Sequence, residues 1–410
     1  MQGMKRNALD YINELLTYFP CVAITGVRQC GKTTLINQLP KTWKIFDLEK
    51  GSDFDIISRD TDLFFRLNPE FIALDEAQLH PEVFPALRVA IDANRAKKGR
   101  FIITGSSSVD LLHSISESLA GRVAIVELSP LSVCEAFEQP QAQVYNLISN
   151  QKLYDEFQSL PLPTISLKQL HEYWLRGGYP ELWTNKSKRF HKLWMQNYMQ
   201  TYLSRDIMQL FPSLNKQKYR LFINMLGHLS GSIINYSQVA RALGVSQPTV
   251  RDYFNIIDGT FIWRNIPAYE KNAKKRIIKH PKGYLRDSGI LNHLLHLISI
   301  DDVLAHPSMG HSWEAMVIEN IIRNLKSNGV DFDYYYYRTG TGSEVDLILE
   351  GEFGLLPIEI KHSGNVKLRE LRGIQNFIKD YKCDYGIVIS NIDKPLQINE
   401  KLINMPFSYF

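Results

Sequence analysis

Three features of the sequence predict an α/β fold built in several domains. Five apolar runs of strand length, Cys21–Thr25, Trp43–Leu48, Phe71–Leu74, Phe101–Thr104 and Val123–Leu128, are each followed by a polar, helix-compatible stretch. Strands alternating with helices build a mostly parallel, doubly wound sheet. From Pro130 to about Asn265 the pattern changes to amphipathic helices, broken at Pro140, at the Leu160–Pro163 stretch and at Gly177-Gly178-Tyr179-Pro180. After Gly310 a helix over Ser312–Leu325 leads to strands at Tyr334–Tyr337, Glu344–Leu349 and Leu355–Ile360. A helix near Leu368–Lys379 and a strand at Tyr385–Ile389 follow, so a second α/β unit closes the sequence.

The composition bounds the function. At 410 residues, 44% hydrophobic and 22% charged, the chain has material for domains of roughly 100–200 residues each and is neither disordered nor collagen-like. Its longest apolar stretches, such as Phe71–Leu74 and Val123–Val126, fall far short of the roughly 20 residues that cross a bilayer. Met1–Asp10 lacks a signal-peptide core, so a cytoplasmic protein with no membrane partner is expected. Cys21, Cys30, Cys134 and Cys383 are not paired at metal-binding spacing, which predicts reduced thiols rather than a disulfide framework or a zinc site. The net charge of +4 does not by itself call for a nucleic-acid partner.

Directly after the first strand stands Gly26-Val27-Arg28-Gln29-Cys30-Gly31-Lys32-Thr33, a complete G-x-x-x-x-G-K-T, with Thr34 continuing into a helix. Glycines let backbone N–H groups close around phosphates, Lys32 reaches the β and γ phosphates, and Thr33 ligates Mg²⁺. ATP with Mg²⁺ is the ligand this predicts. Further on, Phe71–Leu74 delivers Asp75 and Glu76 at the carboxyl end of a strand, where open α/β sheets bind ligands. Asp75 is expected in the Mg²⁺ shell and Glu76 against the attacking water. The next strand ends in Thr104 and Gly105-Ser106, so Thr104 or Ser106 is expected to sense the γ-phosphate; a plain serine turn is the alternative. Arg122 would face away from its own phosphates. It either completes a neighbouring copy's site or serves as a surface ion pair.

The P-loop, Leu74-Asp75-Glu76-Ala77-Gln78, Thr104-Gly105-Ser106-Ser107 and Ser118-Leu119-Ala120-Gly121-Arg122 are joined by the later Gly177-Gly178-Tyr179-Pro180-Glu181 and Tyr202-Leu203-Ser204-Arg205-Asp206-Ile207. Together they resemble the prokaryotic AAA-type ATPases that carry a DUF4143 C-terminal region. The resemblance implies a P-loop AAA+ sheet, a helical lid from about Pro130 to Leu210, ATP and Mg²⁺ as ligands, and a homo-oligomer in the form of a hexameric ring or spiral. Arg176 is the candidate for a lid arginine that reaches phosphate.

From Tyr236 the chain reads as a helix-turn-helix. Val239, Ala240 and Leu243 line one helix, Gly244 makes the turn, and Ser246 caps a second helix whose Val250 packs inward. Gln247, Thr249, Arg251 and Tyr253 are then free to face a DNA groove. Between Arg264 and Lys282 seven cations (Arg264, Lys271, Lys274, Lys275, Arg276, Lys279 and Lys282) face one acid, Glu270, in a segment that reads as a wing. Clustered cations beside a recognition helix predict phosphate contacts, and a solvated loop or a protein-binding surface is the alternative.

In the last unit Asp346 is followed by Glu359 and Lys361, which share one face of a strand. Two carboxylates coordinating Mg²⁺ beside a lysine, with Glu314 or Glu319 completing the ligand set, resemble the PD-(D/E)xK nuclease fold. Members of this ATPase group often keep that fold with incomplete sites. Tyr334–Tyr337 supplies strand propensity only. The expected domains are 1–130, the ATPase core; 131–212, the lid; 213–300, the winged helix; and 301–410, a restriction-endonuclease-like α/β domain. An ATPase acting on duplex or branched DNA is the leading expectation. A nucleotide-controlled switch recognising a protein partner and an ATP-gated nuclease stand beside it.

Overall fold

The computed structural model describes residues 3–105, 115, 117–207, 211, 214–270, 280–340 and 342–410. They divide into two compact units. One comprises Met1–Leu131 with Gly259–Phe261 and Ser327–Gly329; the other comprises Ser132–Asp258, Ile262–Lys326 and Val330–Phe410.

The first unit holds β1 (Cys21–Thr25), β2 (Lys44–Asp47), β3 (Ile72–Asp75), β4 (Phe101–Gly105) and β5 (Val123–Glu127), all parallel, in the order β2-β3-β4-β1-β5. The inner strands β1, β3 and β4 are buried along their whole length, while β2 and β5 at the edges are partly exposed. Strands covered on both faces must be apolar throughout, which is why each matches an uninterrupted run in the sequence. Phe64, Phe65, Phe84 and Phe101 fill one face with Leu74 and Ile103. A helix that the strand pattern did not announce, Ala8–Tyr18, precedes β1 and buries Ala8, Ile12 and Leu15.

The second unit begins with helices, among them Leu167–Arg176, Glu181–Thr184 and Lys188–Tyr198, and a π-helical stretch over Met199–Asp206. Next come the helix Lys216–Leu229, β6 (Ser232–Ile233), the helices Tyr236–Leu243 and Gln247–Gly259, and the hairpin strands β7 (Trp263–Ile266) and β8 (Lys282–Leu285). These strands form an antiparallel sheet, β6-β8-β7. Gly244, at φ 63°, ends the first helix of the pair in the left-handed conformation that glycine adopts freely.

The helices Ser288–Leu294 and Met309–Ser327 then lead to β9 (Phe332–Arg338), β10 (Glu344–Gly351), β11 (Gly354–Ile360), the helix Arg372–Tyr381, β12 (Gly386–Ser390), β13 (Leu396–Asn399) and β14 (Leu402–Pro406). The sheet order is β13-β14-β12-β11-β10-β9, antiparallel from β9 to β11 and parallel from β11 through β12 to β14. The last two strands lie beyond the pattern read from the sequence. β14 is a short run broken by Asn404, whose amide oxygen accepts from Ser390 at 2.8 Å. Among the described residues no helix is long and apolar enough to cross a membrane.

Gly177-Gly178-Tyr179-Pro180-Glu181 is a structural knot. Gly178 N donates to Asp287 Oδ2 at 2.7 Å, and Asp287 Oδ1 caps the helix Ser288–Leu294 by accepting from Ile290 N at 3.1 Å. Trp183 Nε1 donates to Gly177 O at 2.9 Å, the Tyr179 and Tyr198 hydroxyls are 2.8 Å apart, and Trp194 Nε1 donates to Glu181 Oε2 at 3.2 Å. Gly177 sits at φ 76°, and a Cβ there would collide with the Asp287 carboxylate. Gly177→Ala is therefore expected to destabilise the protein by about 2–4 kcal/mol, combining backbone strain with displacement of a buried carboxylate. Urea unfolding would measure this, and an unchanged midpoint would show that the contact is slack.

Candidate functional site

The sheet order gathers the chemistry. Because β4 lies between β1 and β3, the turn after β1, the carboxylates after β3 and the end of β4 arrive side by side. The turn from Gly26 to Gly31 carries left-handed backbone at Gln29 (φ 64°) and Gly31 (φ 100°). At Gly26 a Cβ would collide with the Leu128 carbonyl, so only glycine lets β1 leave the sheet at this point. Val27 and Cys30 are buried and anchor the turn, whereas Arg28, Gln29, Thr33 and Thr34 are exposed.

Lys32, only 5% exposed, donates to Gly26 O at 3.0 Å and Val27 O at 3.2 Å. Among the described residues no carboxylate pairs with it. A buried ammonium held by neutral carbonyls alone is costly, so the turn fits a phosphate anion as the missing counter-charge. Arg6 braces it from behind, donating to Cys30 O at 2.8 Å and Ser129 O at 2.6 Å. Nothing local in the sequence marks Arg6; its role exists only through contacts with residues far along the chain.

Asp75, buried at the end of β3, accepts from the Thr104 hydroxyl, and the same hydroxyl accepts from Glu76 N at 3.2 Å. Thr104 is fully buried, and its bonds orient the two acids. Ser106 lies outside the described residues. Glu76 takes a left-handed backbone at φ 54°, which turns the chain sharply after the strand, and Gln78 Nε2 donates to its Oε2. Asp47 stands in register with Asp75 at the end of β2. Burial, together with the negative charges of Glu76, Asp47 and Asp75, raises the Glu49 carboxyl above its ordinary range against the pull of Arg28. Sequence reading missed Asp47 and Glu49, although the rule that singled out Asp75, the carboxyl end of a parallel strand, applies equally to β2.

Among the described residues no three His, Cys, Asp or Glu side chains are arranged to hold a metal. A Mg²⁺ held by Thr33, Asp75 and phosphate oxygens needs no such cage. Arg122 donates to Asp92 through Nε at 2.7 Å and Nη2 at 2.8 Å, a bidentate pair within its own chain.

In the second unit Gln247 and Arg251 are exposed on the helix Gln247–Gly259, and Thr249 is half-buried with its hydroxyl 2.8 Å from Ser246 Oγ. The Arg251 guanidinium lies 4.7 Å over the Tyr236 ring. Tyr253 does not face a groove: it is buried against Tyr219 and Phe222. Two cations of the supposed wing are interior as well. Arg264 pairs with Glu319 and donates to Tyr334 OH at 3.0 Å; Lys282 donates to Glu314 at 2.7 Å and Glu344 at 3.2 Å. Lys271, Lys274, Lys275, Arg276 and Lys279 lie outside the described residues. Arg176 donates to Leu182 O at 3.1 Å and Lys186 O at 3.0 Å and pairs with Glu172 at 3.1 Å, so its bonds serve its own helical segment.

Glu314, Asp346, Glu359 and Lys361 do converge. Ile360 N donates to Asp346 Oδ2 at 2.8 Å, and Lys361 Nζ donates to Glu359 Oε1 at 2.6 Å. Burial and the Glu314 charge push Asp346 up to about 7, and burial and Asp346 push Glu359 well above its ordinary value. Glu314 is buried too, yet Lys282, His311 and Tyr284 outweigh that burial and hold it at about 2. Glu319, the alternative to Glu314, instead faces Arg264, Arg286 and Arg323, which overcome its burial and hold it at about 2. The ammonium groups of Lys282 and Lys361 stand among these carboxylates, and Glu359 Oε2 is buried without a hydrogen-bond partner among the described residues.

A family model described as "AAA domain" matches residues 18–137. Two described as domains of unknown function, DUF8612 and DUF4143, match residues 167–301 and 309–410. Uncharacterised proteins of Mycobacterium tuberculosis and Mycobacterium bovis are each 34% identical over 353 residues, covering 84% of this chain and 71% of their own. One from Methanocaldococcus jannaschii is 24% identical over 290 residues, covering 69% of this chain and 60% of its own. Among solved structures, a Walker-type ATPase of Pyrococcus abyssi aligns with a TM-score of 0.44 at 14% identity, over 71% of this chain and 95% of that one. Thermotoga maritima RuvB aligns with a TM-score of 0.31 at 16% identity, over 68% of this chain and 98% of that one.

Next to Lys361, His362 meets His171 with their Nε2 atoms 3.3 Å apart, packed against Trp174 and Trp313. Burial lowers both imidazoles, and the mutual charge lowers His362 further. A lowered folded-state value means that the unfolded chain takes up protons first, so this stability is present above about pH 6.5 and is lost as pH falls below it. Replacing both residues by glutamine is expected to shrink the fall in Tm between pH 7.5 and 5.5. An unchanged fall would show that the pair does not titrate with folding.

Proposed function

The chain belongs to the prokaryotic AAA-type P-loop ATPases with a DUF4143 C-terminal region, and from that premise we propose that it binds and hydrolyses MgATP and acts on DNA. The observation that carries the first half is the buried Lys32 ammonium, bonded among the described residues to loop carbonyls alone, in a turn beside which β3 delivers two oriented acids. In this reading the amides of Val27, Arg28, Gln29, Cys30 and Gly31 and the Lys32 ammonium take the phosphates. Thr33 and Asp75 would hold the Mg²⁺, which supplies charge neutralisation at the β and γ oxygens. Glu76, oriented by Thr104 and Gln78, accepts the proton of the attacking water. Arg122, exchanging Asp92 for a neighbouring copy's phosphate, would couple turnover to a ring or spiral.

Glu76→Gln keeps the side chain's shape and its bond to Gln78 but cannot take a proton. ATP affinity is expected to stay within a few-fold while turnover falls by roughly 100-fold or more. Calorimetry with MgATP and a phosphate-release assay read the two separately, and full turnover in the variant would remove Glu76 from the mechanism.

DNA action rests on the helix, strand, helix, helix and hairpin order of Lys216–Leu285, which is that of a winged helix, with exposed Gln247 and Arg251 and the cations at 274–276 as candidate contacts. Remodelling of branched DNA is the substrate reading. The interior placement of Arg264 and Lys282 favours, as a second reading, a nucleotide-controlled surface for a protein partner, since it removes two phosphate contacts. Fluorescence anisotropy on duplex, forked and four-way DNA decides between them. DNA binding is expected to weaken steeply from 50 to 200 mM salt, and Arg251→Ala should reduce the salt slope by about 1. No binding to any of the three at low salt would leave the partner reading.

A further inference from the structure

We propose that the Lys282 ammonium is the resident cation of the carboxylate cluster around Glu314, so that the side chains resembling a divalent-metal site are closed by the protein's own lysine. The cluster then fastens the β7–β8 hairpin to the C-terminal sheet and takes up no metal ion.

Lys282 opens β8, and its side chain is 3% exposed. Its Nζ donates to Glu314 on the helix Met309–Ser327 at 2.7 Å and to Glu344, the first residue of β10, at 3.2 Å. One ammonium therefore joins three elements widely separated in sequence. Tyr284, two residues further and so on the same face of β8, gives its hydroxyl proton to the same Glu314 Oε1. His311 Nδ1 stands 3.6 Å from the other oxygen, Oε2.

The remaining candidate ligands are engaged in part. Asp346 Oδ2 holds the Ile360 amide and Glu359 Oε1 holds Lys361, whereas Glu359 Oε2 is buried without a hydrogen-bond partner among the described residues. A dication of the Mg²⁺ kind needs near-octahedral oxygen at about 2.0–2.1 Å. On Glu314 it would stand close to the Lys282 ammonium, and the two cations would repel each other at short range in a poorly screened interior.

Nor can Lys282 easily withdraw. β8 is the middle strand of its sheet, with Lys282 opposite Ile233 on one side and Ile266 on the other. At the next residue, Gly283, even a Cβ would collide with the Trp263 ring, so the strand is pressed against its neighbour where it delivers the lysine. An ammonium so placed is not available to DNA phosphate.

The test uses the full-length, nucleotide-free protein and Mn²⁺, with free Mn²⁺ read by its electron paramagnetic resonance signal. Wild type and Asp346→Asn are expected to take up the same amount, because Lys282 already supplies the cation at Glu314. Lys282→Met should gain one Mn²⁺ per chain, lost again when Asp346→Asn is added. It should also melt roughly 5–15 °C below wild type, with Mn²⁺ restoring part of the difference. Lys282→Arg, which keeps a cation, should melt closer to wild type than Lys282→Met. Uptake by wild type that disappears in Asp346→Asn would overturn the proposal, as would a Lys282→Met protein that melts like wild type. Should Lys282→Met not fold, the wild-type comparison still decides. None of these readouts depends on ATP, so failure here leaves the P-loop reading standing, and the reverse also holds.

Discussion

A buried ammonium must find negative charge or strong dipoles within hydrogen-bonding reach, and where these come from separates the two lysines around which this chain is organised. Among the described residues Lys32 has backbone carbonyls and no carboxylate, so its full counter-charge has to arrive with a ligand. Lys282 has Glu314 and Glu344 built into the fold, and its charge is answered before any ligand comes. The first arrangement is open to phosphate. The second is closed, although its carboxylates are of the types a metal site would use.

The open site depends on parts that never touch phosphate. Arg6 ties the Cys30 and Ser129 carbonyls together, and so links the turn to the chain leaving β5. Thr104 accepts from the Glu76 amide while donating to Asp75, which sets two neighbouring acids from one hydroxyl. The strand order matters as much as the residues, since β4 can supply that hydroxyl only because it lies between β1 and β3.

In the second unit, charge is consumed internally on a scale its composition does not suggest. Glu319 gathers Arg264, Arg286 and Arg323, and Arg323 also donates to the Tyr173 hydroxyl at 3.0 Å. Asp287 joins the glycine-rich turn at 177–178 to the start of a helix more than a hundred residues later. Motifs that help to mark the family are thus partly architectural. Their residues are constrained by one another, and removing one partner would leave the other charged and buried.

Contiguous chemistry was legible in the residues themselves. The phosphate-binding turn, the Asp75-Glu76 pair and the strands of the first sheet could be read directly, because the doubly covered inner strands β1, β3 and β4 must be apolar throughout and a phosphate turn needs its glycines at fixed spacing. The helix pair around Gly244 was equally plain. Pairing across the fold was not. Arg264 and Lys282 look like any solvated cations of a basic hairpin until Glu319 and Glu314 are brought against them. Likewise, Glu314 and Glu319 are interchangeable on one helix until each has its neighbours. Arg6 acquired meaning only from long-range contact, whereas Asp47 and Glu49 lie at a strand end that the rule used for Asp75 already reached. A side chain's type states which partners it can accept, but only packing decides which it meets, and for buried charge that decision determines whether a site stays open to a ligand or is filled from within.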